Sequence, residues 1–114
     1  MENEFRIDVR RTDDATVVSV SGELDLVSST GLEEALEQLD GSEPPFVILD
    51  LSDVEFMDSA GLAVVVRAHQ RADSAGTRFA VVSAVPQVRR LLSLTGMDER
   101  VTVAQTPEEL LGGG

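Results

Sequence analysis

Apolar and polar residues alternate near the start of the chain: Phe5, Ile7 and Val9 take every second position, and Val18 and Val20 repeat the spacing after Asp13-Asp14. A period of two marks strands with one buried face, and the intervening turn predicts an antiparallel hairpin. The period then changes. Leu32, Ala35, Leu36 and Leu39 share one helical face, and Thr30 with Glu33 has capping-box spacing, which predicts a first helix starting at Thr30. The Gly41 to Pro45 stretch ends that helix.

Phe46-Val47-Ile48-Leu49 is an unbroken apolar run, as a central strand covered on both faces requires. Asp50 to Asp58 reads as a connection to a second helix, in which Leu62, Val65, Val66 and His69 share a face while Arg67 and Arg71 point elsewhere. After Gly76, a strand is expected at Phe79 to Val82. A third helix follows, with Val88, Leu91 and Leu92 inward, Arg89 and Arg90 in solvent, Gly96 as its close and Met97 packed back against it. Val101 to Val103 forms a short strand. Thr106-Pro107-Glu108-Glu109, with a cap, a first-turn proline and an acidic first turn, announces a last helix. The expected fold class is α/β: a single mixed β-sheet with an antiparallel N-terminal hairpin, parallel later strands and about four helices packed against it. Residues 1–111 make one domain, and Gly112 to Gly114 a flexible tail.

Composition narrows the chemistry. The 114 residues carry a formal net charge of -12, which argues against nucleic acid, since phosphate backbones are bound by concentrated Lys and Arg. Residues 1–57 hold 15 acidic and 3 basic side chains and residues 58–114 hold 6 of each; from charge alone the excess reads first as serving solubility, with steering of a basic partner to the first half as the alternative. There is no Cys, hence no disulfide, thiol nucleophile or thiolate metal site. The single His69 reads as a partly buried structural residue. No cofactor and no metal are expected. The apolar runs are far short of a membrane span and the N-terminus is acidic where a secretory signal is basic, so a cytoplasmic protein without membrane insertion is expected.

The informative segment runs from Phe46 to Leu62. A buried strand leads to a helix that opens Asp58-Ser59-Ala60-Gly61. Such a start presents backbone N–H groups without intrahelical partners at the positive end of the helix dipole, where an oxyanion is welcome. Small neighbours leave the Ser59 hydroxyl accessible, and Gly61 permits close approach of another backbone or of a partner. Asp58 or Ser59 is equally an ordinary helix cap, and spacing alone does not separate the two roles.

Phe56-Met57-Asp58-Ser59-Ala60-Gly61-Leu62 is similar to the Asp-Ser-Ser-Gly-Leu signature of STAS domains, named for sulfate transporters and anti-sigma factor antagonists. Gly22-Glu23-Leu24-Asp25 resembles the family's Gly-Glu-Leu-Asp turn, and Val85-Pro86-Gln87-Val88-Arg89-Arg90-Leu91 through Thr95-Gly96-Met97 resembles its third helix and cap. Ala60 departs from the second Ser of the signature, leaving Ser59 as the motif's one hydroxyl. The resemblance spans about Phe5 to Leu111 and implies an anti-sigma factor antagonist without catalytic activity. In that role the unphosphorylated form binds an anti-sigma factor that is also a serine kinase, which frees a sigma factor, and phosphorylation ends the binding. Carried over by residue, Ser59 is the phosphate acceptor and Asp25 contributes to kinase recognition. Asp58, Ala60, Gly61 and Leu62 complete the partner-binding surface, and a serine phosphatase acts on the phosphorylated form.

Two other readings compete. The chain could be a STAS subunit of a transporter or of a larger signalling assembly. A receiver domain phosphorylated on Asp50 is the more remote reading, because receivers also need an acidic pair for Mg²⁺ and a Lys that a Lys-free chain lacks.

Overall fold

In the computed structural model, which describes residues 4–111, strands β1 (Arg6–Arg11) and β2 (Thr16–Leu24) pair antiparallel from Arg6↔Ser21 to Arg11↔Thr16. The Thr12 hydroxyl shapes the turn between them by accepting the N–H groups of Asp14 and Ala15. Strands β3 (Phe46–Met57), β4 (Arg78–Val82) and β5 (Thr102–Ala104) extend the sheet in the order β1-β2-β3-β4-β5, and all pairings after the hairpin are parallel.

Helices α1 (Leu26–Glu37), α2 (Ser59–Ala75) and α3 (Pro86–Leu94) make the crossovers. All three share one core with the same sheet face: Leu32, Leu36, Val64, Val65, Val88 and Leu92 pack with Val18, Val20, Leu49, Leu51 and Val81. The opposite face contributes Val17, Ile48, Ala80 and Val82, against which Leu110 and Leu111 pack. Ile48 and Leu49 therefore belong to different cores, which is why the run from Phe46 to Leu49 is apolar at every position.

Five local expectations change. Helix α1 starts at Leu26, not at Thr30, because Asp25 and Ser28 form a reciprocal capping box that opens five residues before that point, while Glu33 pairs with Arg67 and Arg71 of α2. The segment Asp50 to Met57 is strand, not connection. Two register shifts against β2 put extra residues into β3, so its inward positions Leu51, Val54 and Met57 come every third residue and escape a period-two pattern. Helix α2 centres its buried stripe on Gly61, Val64, Val65 and Ala68, with Leu62, Val66 and His69 half-buried beside it.

The last expected helix is a single 3-10 turn, Pro107–Glu109, leaving three α-helices instead of four. Thr106 makes no side-chain cap there, and Leu110 and Leu111 pack onto the back of the sheet instead of continuing a helix. Gly76 and Gly96 do close their helices, with φ of 72° and 78° in the left-handed region. Met97 is buried as expected. Arg90 is exposed, whereas Arg89 is half-buried with a guanidinium N–H directed at the Ser83 carbonyl 3.4 Å away. The Gly112 to Gly114 tail lies outside the described residues.

Candidate functional site

Strands β2 and β3 end side by side, with Leu24 and Met57 as register partners. Each is followed by an aspartate in extended conformation that caps the next helix. Asp25 Oδ1 accepts the N–H groups of Val27 (3.1 Å) and Ser28 (3.0 Å), and Asp58 Oδ1 accepts those of Ala60 (2.9 Å) and Gly61 (3.1 Å). The Asp58 N–H donates to the Leu24 carbonyl at 3.1 Å, so the two helix starts are joined through backbone. The fold thus brings Asp25, Asp58 and Ser59 to one end of the sheet, although the two aspartates lie 33 positions apart in sequence.

Ser59 is the first residue of α2 and is exposed to solvent. Its hydroxyl is reachable from outside, but the helix amides that would welcome an anion are differently disposed from the expectation. Two of them, on Ala60 and Gly61, are already held by the Asp58 carboxylate. Both aspartates are therefore true caps, with Asp58 adjoining Ser59 in the chain and Asp25 at the neighbouring helix start. The Asp25 carboxyl is held below the ordinary carboxylate range by the Ser28 N–H, then by the Ser28 hydroxyl, with Val27 N–H adding to these and partial burial opposing them.

The remaining motif residues divide. Leu62 and Ala60 are half-buried, and Leu62 packs against the main core. Gly61 is buried. A Cβ at that position would lie 2.7 Å from Met57 Cγ and 2.8 Å from the Leu24 carbonyl oxygen, so the close approach it permits is filled by this chain's own strand ends. Asp50 lies inside β3, not at a strand end, and its carboxylate accepts the N–H and hydroxyl of Ser52, which removes the geometry a receiver needs.

Three exposed apolar side chains at this end were given no binding role by the sequence. Leu26 and Val27, in the first turn of α1, are 73% and 85% exposed, and Phe56, at the end of β3, is 43% exposed. Helical phase carries their signal: Val27 stands half a turn away from Leu36, on the side opposite the core. Gln87 also went unassigned. Its carboxamide Nε2 donates to the Met57 carbonyl at 2.8 Å, and its Oε1 accepts the Met57 N–H at 2.9 Å. Among the described residues no group of three or more His, Cys, Asp or Glu side chains is placed to hold a metal ion, and no helix is long and apolar enough to cross a membrane.

Comparison with known proteins follows the same outline. Residues 6–110 match the STAS domain. The chain is 32% identical over 97 residues to the anti-sigma-F factor antagonist RsfB of Mycobacterium tuberculosis, covering 85% of this chain and 79% of that protein. It is 28% identical over 112 residues to an anti-sigma-B factor antagonist of Listeria monocytogenes, covering 98% and 97% of the two chains. The crystal structure of an anti-sigma factor antagonist from Mycobacterium paratuberculosis superposes with a TM-score of 0.88 at 34% identity, over 96% of this chain and 93% of the other.

Proposed function

The chain belongs to the STAS domain family, and from that premise we propose that it is an anti-sigma factor antagonist: unphosphorylated, it binds an anti-sigma factor that is also a serine kinase and so frees a sigma factor. Phosphorylation of Ser59 ends the binding, and a serine phosphatase restores it. The protein acts by occupying a partner in the cytoplasm and catalyses nothing itself.

The observation that carries this reading is an exposed serine at the first position of α2, at the same end of the sheet as two cap aspartates and three exposed apolar side chains. Leu26, Val27 and Phe56 supply apolar area for a stable contact, and a clustered apolar exposure beside charged groups is the usual anatomy of a protein-binding surface. Asp25 and Asp58 favour a partner with a basic rim. Phosphorylation adds about -1.5 to -2 charges at neutral pH, directly after the Asp58 carboxylate, which repels it. A partner closely packed on Ser59 is displaced by that bulk and charge, while the fold beneath has no reason to rearrange.

The test is to incubate the protein with the candidate anti-sigma kinase and ATP, locate the phosphate by mass spectrometry, and measure partner binding of the wild type, Ser59→Ala and Ser59→Asp. Ser59→Ala is expected to abolish labelling and keep binding; Ser59→Asp is expected to weaken binding. Labelling at another residue, or binding indifferent to both substitutions, overturns the proposal.

A further inference from the structure

Strand β4 accompanies β3 only as far as the pair Asp50↔Val82. From Leu51 onward β3 has β2 on one side and, among the described residues, no strand on the other. Its last residue, Met57, is fully buried, and buried backbone N–H and C=O groups must be paired or they destabilise the fold. Gln87 meets both needs, with bonds of 2.9 Å from the Met57 N–H and 2.8 Å to its C=O. A side chain here reproduces the two-bond pairing that a neighbouring strand would give.

The clamp is placed where it governs the acceptor. On the opposite side of the chain the next amide, Asp58 N–H, is fixed to Leu24. The Met57–Asp58 peptide, one residue before Ser59, is thus held from both sides, by β2 and by α3. Gln87 sits in the first turn of α3 directly after Pro86, and that helix is anchored in the core by Val88 and Leu92. The α3 cap residue Val85 makes no side-chain cap bond, so Gln87 reaches across to another element instead of finishing its own helix.

We propose that Gln87 is a positioning residue for phosphate acceptance: its carboxamide, carried by α3, fixes Met57 and thereby the turn that presents the Ser59 hydroxyl. This rests on the reading of Ser59 as the acceptor. Orientation of a nucleophile contributes to the rate of the chemical step more than to encounter, so loss of the clamp acts on kcat. Gln87→Ala removes both bonds. Gln87→Glu keeps the acceptor for the Met57 N–H but loses the donor to the carbonyl. Arg90→Ala, on an exposed position of the same helix, is the control.

The experiment pairs amide hydrogen exchange of the full chain with steady-state labelling of Ser59 by the anti-sigma kinase and ATP. For Gln87→Ala, exchange at Met57 and Asp58 is expected to rise about tenfold, as for a lost native hydrogen bond. Its labelling kcat is expected to fall roughly three- to tenfold with KM within about twofold of wild type. Gln87→Glu retains more protection at Met57 than Gln87→Ala, and Arg90→Ala matches wild type in both assays. Unchanged exchange at Met57 and Asp58 in Gln87→Ala overturns the clamp, and changed exchange with unchanged kcat overturns its positioning role. A wild-type chain that takes no phosphate at Ser59 overturns the acceptor reading, while the exchange measurement still judges the clamp.

Discussion

The Asp58 N–H and the Leu24 carbonyl lie 3.1 Å apart, and this bond draws the start of α2 onto the end of β2. Gly61 sits in the narrow space that results, with the same Leu24 carbonyl 2.8 Å from where a Cβ would stand. Gly61→Ala is therefore expected to destabilise the protein by about 2 kcal/mol, because backbone cannot swing aside as a side-chain tip can. Denaturant unfolding measures this. Wild-type stability in Gly61→Ala would mean that the helix start and the strand end separate freely.

The cap carboxylates make a second prediction. Asp58 holds two amides, so Asp58→Ala is expected to cost about 1 kcal/mol, whereas Asp58→Asn, which keeps an acceptor oxygen, should recover most of it. Equilibrium urea unfolding of both variants supplies the comparison. Equal losses would assign the effect to charge and not to hydrogen bonding.

Leu26 and Val27 contribute little to the fold, being 73% and 85% exposed. The double substitution Leu26→Ser with Val27→Ser should leave stability within about 0.5 kcal/mol of wild type. Affinity for the anti-sigma partner should fall on the order of tenfold, as for truncation of apolar anchors in an interface. Calorimetric titration decides it, and undiminished affinity places the contact elsewhere.

Acid should weaken the fold through two named carboxylates. Arg67, then Arg71, hold the Glu33 carboxyl below its ordinary range against partial burial, and Ser28 does the same for Asp25. Both groups stay ionised in the native state at a pH where the unfolded chain has begun to take up protons. Their contribution is complete above the unfolded-state values near pH 4 and is lost as pH falls further through the depressed native values. Stability measured from about pH 7 down to about pH 3 should be level at first and then decline. Arg67→Ala should make the decline shallower.

The hairpin, the doubly buried run at Phe46 to Leu49 and the order of strands and helices were legible because period, turn residues and caps agree there. The start of α1 was obscured by competition: Thr30 and Glu33 have the same spacing as Asp25 and Ser28, and only the tertiary pairing of Glu33 with Arg67 and Arg71 separates them. The second half of β3 was hidden because its register shifts replace alternation by a three-residue spacing. At the site, Asp25, Asp58 and Ser59 were visible through their motif. Gln87 was not, since its bonds to Met57 span 30 positions and a glutamine near a helix start has no distinctive local signal.

Asp58 grips the amides of Ala60 and Gly61 before any modification arrives. A phosphoryl group on the adjoining oxygen would find those donors taken and would have to face outward, unshielded by its own helix. Such a mark stays legible to other proteins and open to enzymatic removal, and it can be written and erased without the scaffold beneath it changing shape.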